Sequence, residues 1–187
     1  MPTYYIVNPA EAAANLARFD GVRFGPRHVG PEGDVRALYR ATRGVGFGAE
    51  VRRRILVGTF VLSAGYSDQY YSRAQAVRRL IIGDFEAVFA SGVDLLFTPT
   101  TPTPAFKAGE KTADPVAMYL ADIFTIAANL AGICGISIPC GFANLEGRRL
   151  PIGLQLLGKS FAEVQLLQIA HAYEQSTDWH KAQPALA

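Results

Sequence analysis

Apolar positions along this chain switch between helical and strand spacing. Between residues 69 and 90, Ala74, Val77, Leu80, Ile81, Phe85, Val88 and Phe89 recur at i, i+3 and i+4, which predicts a long amphipathic helix packed along that stripe. Residues 34–42 and 48–63 also read as helices. A further helix is expected over 9–18, opening at Pro9-Ala10-Glu11 and closed by the turn Phe19-Asp20-Gly21, with a Gly- and Pro-rich loop to Asp34.

Strand signals follow. Asp94-Leu95-Leu96-Phe97-Thr98-Pro99 is a short apolar run stopped by proline, the pattern of a strand buried on both faces. Pro99, Pro102 and Pro104 then remove backbone donors and hold the chain extended, so 98–104 is expected to be a rigid loop. A helical stretch is predicted from Asp114-Pro115 through Leu130, then a second strand at Gly135–Pro139 and a third at Leu150–Leu157. An amphipathic closing helix is expected over 161–174. Strands separated by helices imply an α/β layered fold.

Composition narrows the class. The 187 residues are 50% hydrophobic and 18% charged, enough to bury one substantial core and too apolar for a disordered chain. Net charge is +2, unevenly spread: residues 1–79 hold twelve Arg against six acids, net +6, leaving −4 for the rest. A basic half attracts nucleic acid. These arginines are scattered apart from Arg52, Arg53 and Arg54, and no aromatic-interleaved motif accompanies them, so a solvated face and an RNA contact both stay open. The start of the chain lacks the basic and apolar regions of a signal peptide, and an intracellular, cytoplasmic protein is expected. The most apolar stretch, Met118 to Cys140, is interrupted by Asp122, Asn129, Gly132, Gly135 and Pro139, which argues for packed elements and against a membrane span. Cys134 and Cys140 match neither a zinc site nor a redox pair and read as two small buried thiols.

Spacing alone supplies little chemistry. His28, His171 and His180 lie far apart without partners at ligand spacing, so no metal centre is predicted. Nucleophile-elbow, phosphate-loop and dinucleotide fingerprints are missing from the sequence. Polar residues in apolar context remain. Asp122 sits among Met118, Leu120, Ile123, Phe124 and Ile126; it is either a structural carboxylate or one that receives a ligand's ammonium group. Arg52, Arg53 and Arg54 point roughly 100° apart on a helix, so at most one or two face inward. An inward arginine there would hold a carboxylate through paired hydrogen bonds; the alternative is a solvated basic turn. Tyr4 and Tyr5 are a strand's core and surface pair, or offer a hydroxyl to a ligand.

The strings themselves carry more. TYYIVNPAEAAANLARFDGVRFG, GFGAEVRRRILVGTFVLSAGY, DLLFTPTTPTPAF, DPVAMYLADIFTIAANLAG, GISIPCG and LPIGLQLLGK, in this order, resemble the A-subunit family of glutamyl-tRNA(Gln) amidotransferases, a branch of the amidase-signature enzymes. The first two and the DP-MY-D pattern are specific to that branch; the TPT-P and LPIGLQ-G patterns recur across amidase-signature enzymes. The resemblance spans essentially the whole chain and implies an α/β fold with a mixed central sheet covered by helices. Residues 1–187 would form the C-terminal portion of a single amidase domain.

The same resemblance implies a chemistry. A Ser, cis-Ser, Lys triad would release ammonia from glutamine, and a partner B subunit, using ATP and Mg, would convert Glu-tRNA(Gln) to Gln-tRNA(Gln). A C subunit would complete a heterotrimer, with tRNA held mainly by the B subunit. The triad belongs to a Gly/Ser-rich signature expected upstream of these residues, and no GGSSGG-like run occurs among them. This chain alone is therefore expected to lack covalent catalysis, to need no cofactor of its own, and to expose a sheet edge and an apolar face. What carries over is substrate recognition: Tyr4 as a tyrosine contacting substrate, Arg54 for the α-carboxylate of glutamine, where a planar fork suits better than lysine, and Asp122 for the α-ammonium. Cys134 departs from the family, which commonly has proline there, and bears on the local turn. Two other readings stand beside this one: part of a stand-alone amidase acting on other amides, and a non-catalytic protein that binds the partner subunits.

Overall fold

The computed structural model describes residues 2–28, 34–111 and 114–184, in two compact units, Met1–Arg78 and Arg79–Ala187. The first is helical: α1 (Pro2–Leu16), α2 (Val35–Gly46) and α3 (Ala49–Val61), then a wide turn over Asp68–Ser72 that runs into α4 (Arg73–Ala90).

The first helix begins seven residues before the Pro9 start expected from sequence, and Pro9 lies inside it. An interior proline has no N–H for the carbonyl four residues back and normally breaks a helix. Here Val7 and Ala10, on either side of it, are 3% and 1% exposed, and that burial outweighs the local penalty. Tyr4 and Tyr5 accordingly sit on a helix and not on a strand. α1 packs on α3 at Gly58, where a Cβ would lie 1.9 Å from the carbonyl oxygen of Pro9. Arg43 of α2 donates to the carbonyls of Leu16 (2.9 Å) and Phe19 (3.2 Å), satisfying the end of α1 that lacks intrahelical donors. Asp34 caps α2 by accepting from the Arg36 N–H at 2.8 Å.

The α4 stripe behaves differently from its expectation. Ala74 and Phe89 are buried, but Leu80 is 70% exposed and Val77 and Val88 are also exposed. Ile81 and Phe85 between them are half-buried, so the stripe is covered only in part.

In the second unit three strands form an antiparallel sheet in the order β1 (Leu95–Pro99), β3 (Arg148–Gly158), β2 (Cys134–Leu145). The α/β expectation holds, while the parallel pairs of a mixed sheet are not among the described strands. β2 and β3 are a hairpin, closed by Glu146 and Gly147 at φ 49° and 74°, the two left-handed positions of a turn whose twist matches the strands. The Glu-Gly pair is the sequence signal for it, and both strands run longer than their apolar cores suggest. β1 is an edge strand with Phe97 59% exposed, so it is not buried on both faces.

Alternation gives the sheet two unlike faces. Leu95, Ile138 and Leu156 point one way, against Leu166 and Ala170 of α7 (Glu163–Ser176), with Ile169 and Tyr173 packed beside them. Those four α7 positions are the i, i+3, i+4, i+7 stripe of an amphipathic helix. Thr98, Gln155 and Ser137 form a row across the other face, in direct register.

The helix expected from residue 115 to 130 is two short ones, α5 (Pro115–Leu120) and α6 (Ile126–Ala131). Asp114 caps the first, accepting from Val116 at 2.9 Å and Ala117 at 3.1 Å. Between them Thr125 donates its hydroxyl to the Asp122 carbonyl at 3.1 Å, a side-chain bond that competes with the helical ladder. α6 ends on Gly132 at φ 69°, the left-handed stop glycine allows.

Gly58→Ala should destabilise the chain by about 1–3 kcal/mol or more, because overpacking against a backbone carbonyl cannot be relieved by a rotamer change. Urea denaturation of the two proteins measures it; an unchanged midpoint would contradict the α1–α3 contact.

Candidate functional site

Which side of the sheet could do chemistry follows from its polarity. The row Thr98, Gln155, Ser137 carries hydroxyls and a carboxamide on a face where alternation would equally allow apolar residues. Gln155 is 6% exposed. Its Nε2 donates to Thr98 Oγ1 and to the carbonyl of Phe124, both at 2.9 Å. A carbonyl only accepts, so the atom facing Phe124 is the nitrogen, which fixes the orientation of the amide.

Beside this row opens a cleft of about 560 Å³, lined by Thr100, Ser137 and Gln155 on the sheet side and by Thr125, Ala128 and Asn129 at α6. Thr100 Oγ1 and Ser137 Oγ are 2.7 Å apart in a hydrogen bond. They close over Gly153, where a Cβ would come within 2.8 and 2.9 Å of the two oxygens. Glycine at that position makes room for the hydroxyl pair. Asn129 Nδ2 donates to the Thr125 carbonyl at 2.9 Å, which turns its side chain along the wall, and Ser160 Oγ holds the Gly132 carbonyl at 2.9 Å where α6 ends. The cleft thus sets these polar groups beside the apolar side chains of Ala128, Ile133, Ile136 and Leu157.

A second recess of about 460 Å³ lies under the proline-rich loop, lined by Phe97, Pro99, Pro102, Pro104, Cys140 and Ile152. It is apolar, and burial pushes the Cys140 thiol above its ordinary range. Cys134 and Cys140 are both free and half-buried, more open than the sequence suggested; Cys134 Sγ donates to the Lys159 carbonyl at 3.0 Å. The strand starts directly at Cys134, after α6 ends on Gly132. No group of three or more His, Cys, Asp or Glu among the described residues is placed to hold a metal ion.

The three residues singled out from sequence fall in different places. Tyr4, half-buried on α1, meets Tyr5 edge-on with ring centroids 5.2 Å apart. Arg54, on α3 in the same unit, is half-buried whereas Arg52 and Arg53 are exposed, in line with at most one or two of the three facing inward. It already holds a carboxylate: its Nε donates to Glu50 Oε1 at 3.0 Å. Asp122 belongs to the second unit and is exposed, in the turn between α5 and α6 and not on an apolar helix. Its carboxylate makes no ion pair among the described residues. Through its own carbonyl it is bonded to Thr125, which lines the polar cleft. Sequence reasoning finds Asp122 beside the cleft but misses Thr100, Ser137 and Gln155. The available signal was polar residues at period two inside otherwise apolar strand runs.

Replacing Gln155 with Leu removes two buried hydrogen bonds while keeping the volume, and should lower stability by about 1–3 kcal/mol. Thermal unfolding of the variant against the parent checks this; equal midpoints would show that the amide holds nothing.

A model of the family described as Amidase matches residues 1–167. The A subunit of glutamyl-tRNA(Gln) amidotransferase from Acaryochloris marina is 60% identical over 186 residues, covering 100% of this chain and 38% of the relative. That of a Nostoc species is 60% identical over 188 residues, covering 100% of this chain and 37% of the relative. This chain therefore spans well under half the length of the curated relatives it matches. Among solved structures, a 6-aminohexanoate cyclic dimer hydrolase with bound substrate superposes with a TM-score of 0.64 over 98% of this chain and 36% of its own, at 18% identity. At that identity the likeness shows the fold alone.

Proposed function

Because the chain belongs to the amidase family, we propose that it supplies the substrate-recognising part of a glutamyl-tRNA(Gln) amidotransferase A subunit that works as an amidase, releasing ammonia from glutamine. The observation that carries this reading is the 60% identity to named A subunits over the full length of this chain. The ammonia goes to a B subunit, which uses ATP and Mg to convert Glu-tRNA(Gln) to Gln-tRNA(Gln) in the cytoplasm. A C subunit joins them in a heterotrimer, and the B subunit holds most of the tRNA. Nucleotide chemistry then lies outside this chain. No helix among the described residues is long and apolar enough to cross a membrane, which suits such a complex.

In this reading Arg54 receives the α-carboxylate of glutamine, Asp122 receives the α-ammonium, and Tyr4 contacts the substrate through its hydroxyl. Support for Arg54 comes from its position as the least exposed of its run and from its present partner. The Glu50 pair is open to solvent, with side chains 38% and 43% exposed, and exposed pairs contribute at most about 1 kcal/mol. Exchanging one carboxylate for another is cheap there. Support for Asp122 is its lack of an ion-pair partner among the described residues and its one-turn separation from the cleft. The relatives' additional length also accounts for Leu80, Val77 and Val88, apolar side chains that are exposed here: further amidase chain covers them in the complete protein and brings the Ser and Lys catalytic groups.

Ammonia release from glutamine tests the reading. The chain alone should release none above buffer. Co-produced with the part of the Acaryochloris relative that it does not span, it should gain activity. Arg54→Ala and Asp122→Ala should then each lower kcat/KM for glutamine roughly tenfold or more, the loss expected for a charge-assisted hydrogen bond. Equal turnover of glutamine and an uncharged amide, unaffected by either substitution, would sink it in favour of a general amidase.

A further inference from the structure

Gln155 is only 6% exposed, yet its amide is half used. Both Nε2 hydrogens are committed, to Thr98 and Phe124, and no hydrogen bond to Oε1 is formed among the described residues. No buried side-chain oxygen or nitrogen among them lacks a partner, so Oε1 reaches open space, and the space beside Gln155 is the polar cleft. The amide cannot flip to hide the oxygen, because the Phe124 carbonyl accepts only from nitrogen. The cleft floor thus presents a fixed, oriented acceptor.

Next to it lies a donor. Ser137 is the direct cross-strand partner of Gln155, which places their Cβ atoms roughly 5 Å apart. Ser137 and Thr100 share one hydrogen bond at 2.7 Å; two hydroxyls use one hydrogen between them, so the other hydrogen is available to a ligand. An acceptor and a donor side by side complement a group that has N–H and C=O on one carbon. A carboxylate would set oxygen against Oε1, and an ammonium would leave the hydroxyl hydrogen unmatched.

We propose that Gln155 Oε1 and the Thr100–Ser137 hydroxyl pair form a subsite that reads a neutral primary carboxamide, accepting its N–H and donating to its C=O, and that they discriminate it from a carboxylate. Gly153 keeps the subsite open, since any side chain there strikes both hydroxyls. The identity of the natural ligand rests on the glutamine reading above; the subsite chemistry does not. Gln155, Thr100 and Ser137 act as specificity-determining residues, set apart from the groups that would bind the two charges of an amino acid.

The test is an isotope-labelled sample of the 187-residue chain titrated with butyramide and, separately, butyrate at matched concentrations, followed by amide NMR. Butyramide should move the resonances of residues 135–137 and 153–155 and the side-chain NH2 of Gln155, with an apparent Kd roughly five- to tenfold below that of butyrate, one hydrogen bond's worth of preference. Equal responses, or shifts confined elsewhere, would overturn the subsite. A Cβ at Gly153 would meet Thr100 Oγ1, Ser137 Oγ and Thr100 Cβ at 2.8, 2.9 and 3.3 Å, so in Gly153→Ala, with the spectrum of the core first checked as retained, the butyramide response should disappear; a retained response overturns the proposal too. Ser137→Ala, at an exposed position, should weaken butyramide without altering the spectrum of the core. Glutamine is the separating probe. If butyramide binds and glutamine binds no better, the subsite stands and the amino-acid reading falls. If glutamine binds without moving Gln155, the subsite falls and the reading stands.

Discussion

Gln155 sits on the central strand of a three-stranded sheet, buried to 6% exposure, and a carboxamide in that position has to be hydrogen-bonded or the sheet would not keep it. It reaches Thr98 on one side and the Phe124 backbone above. The first bond ties edge strand β1 to β3 beyond the backbone ladder. The second holds the α5–α6 turn over the polar face, which breaks what would otherwise be one helix and raises a wall over the sheet. Remove that anchor and both the turn carrying Asp122 and the cleft lose their support. Local polarity is therefore structural and chemical at once: the hydrogen bonds that make Gln155 tolerable inside are the same ones that aim its oxygen outward.

Opposite that face the sheet is conventional. Leu95, Ile138 and Leu156 meet α7 through Leu166 and Ala170, and hydrophobic burial of about 1.5–3 kcal/mol per large side chain holds the layer together. The helical unit has its own tight contact, Gly58 against the Pro9 carbonyl, and there too the approach of two backbones decides the residue. Both units nonetheless leave large apolar side chains in solvent, Leu56 at 71% and Leu80 at 70% among them. A chain that spans 37–38% of its relatives' length and belongs to their family is expected to show such faces. They mark where further amidase structure is proposed to lie.

Where reading from sequence succeeds and where it stops have physical causes. Helix α7 follows from periodicity, because its buried positions Leu166 and Ala170 recur at helical spacing, and α2 starts where Asp34 caps it. At Pro9 local punctuation misleads, since long-range burial of Val7 and Ala10 overrides it. The single helix expected over 115–130 does not form because its break is made by side chains, Thr125 on Asp122 and Gln155 on Phe124, and one partner lies about thirty residues away. The α4 stripe is apolar as expected, but a stripe states only a need for cover and not whether cover is present.

By itself the sequence determined the family, through ordered strings that match amidase-signature patterns, and with it the α/β class, the three strands and the closing helix. Those are properties of short runs, in which composition and period act within one element. Only the tertiary structure decided which polar residues meet. Thr100 follows the end of β1, Ser137 lies on β2 and Gln155 on β3. Since β1 pairs with β3 and not with β2, chain order does not record that Thr98 stands opposite Gln155, and the irregularity between Pro139 and Gly141 shifts the hairpin register that sets Ser137 against Gln155. Pairing register and the direction of an amide are set by cross-strand hydrogen bonds, and these exist only once the chain has folded back on itself.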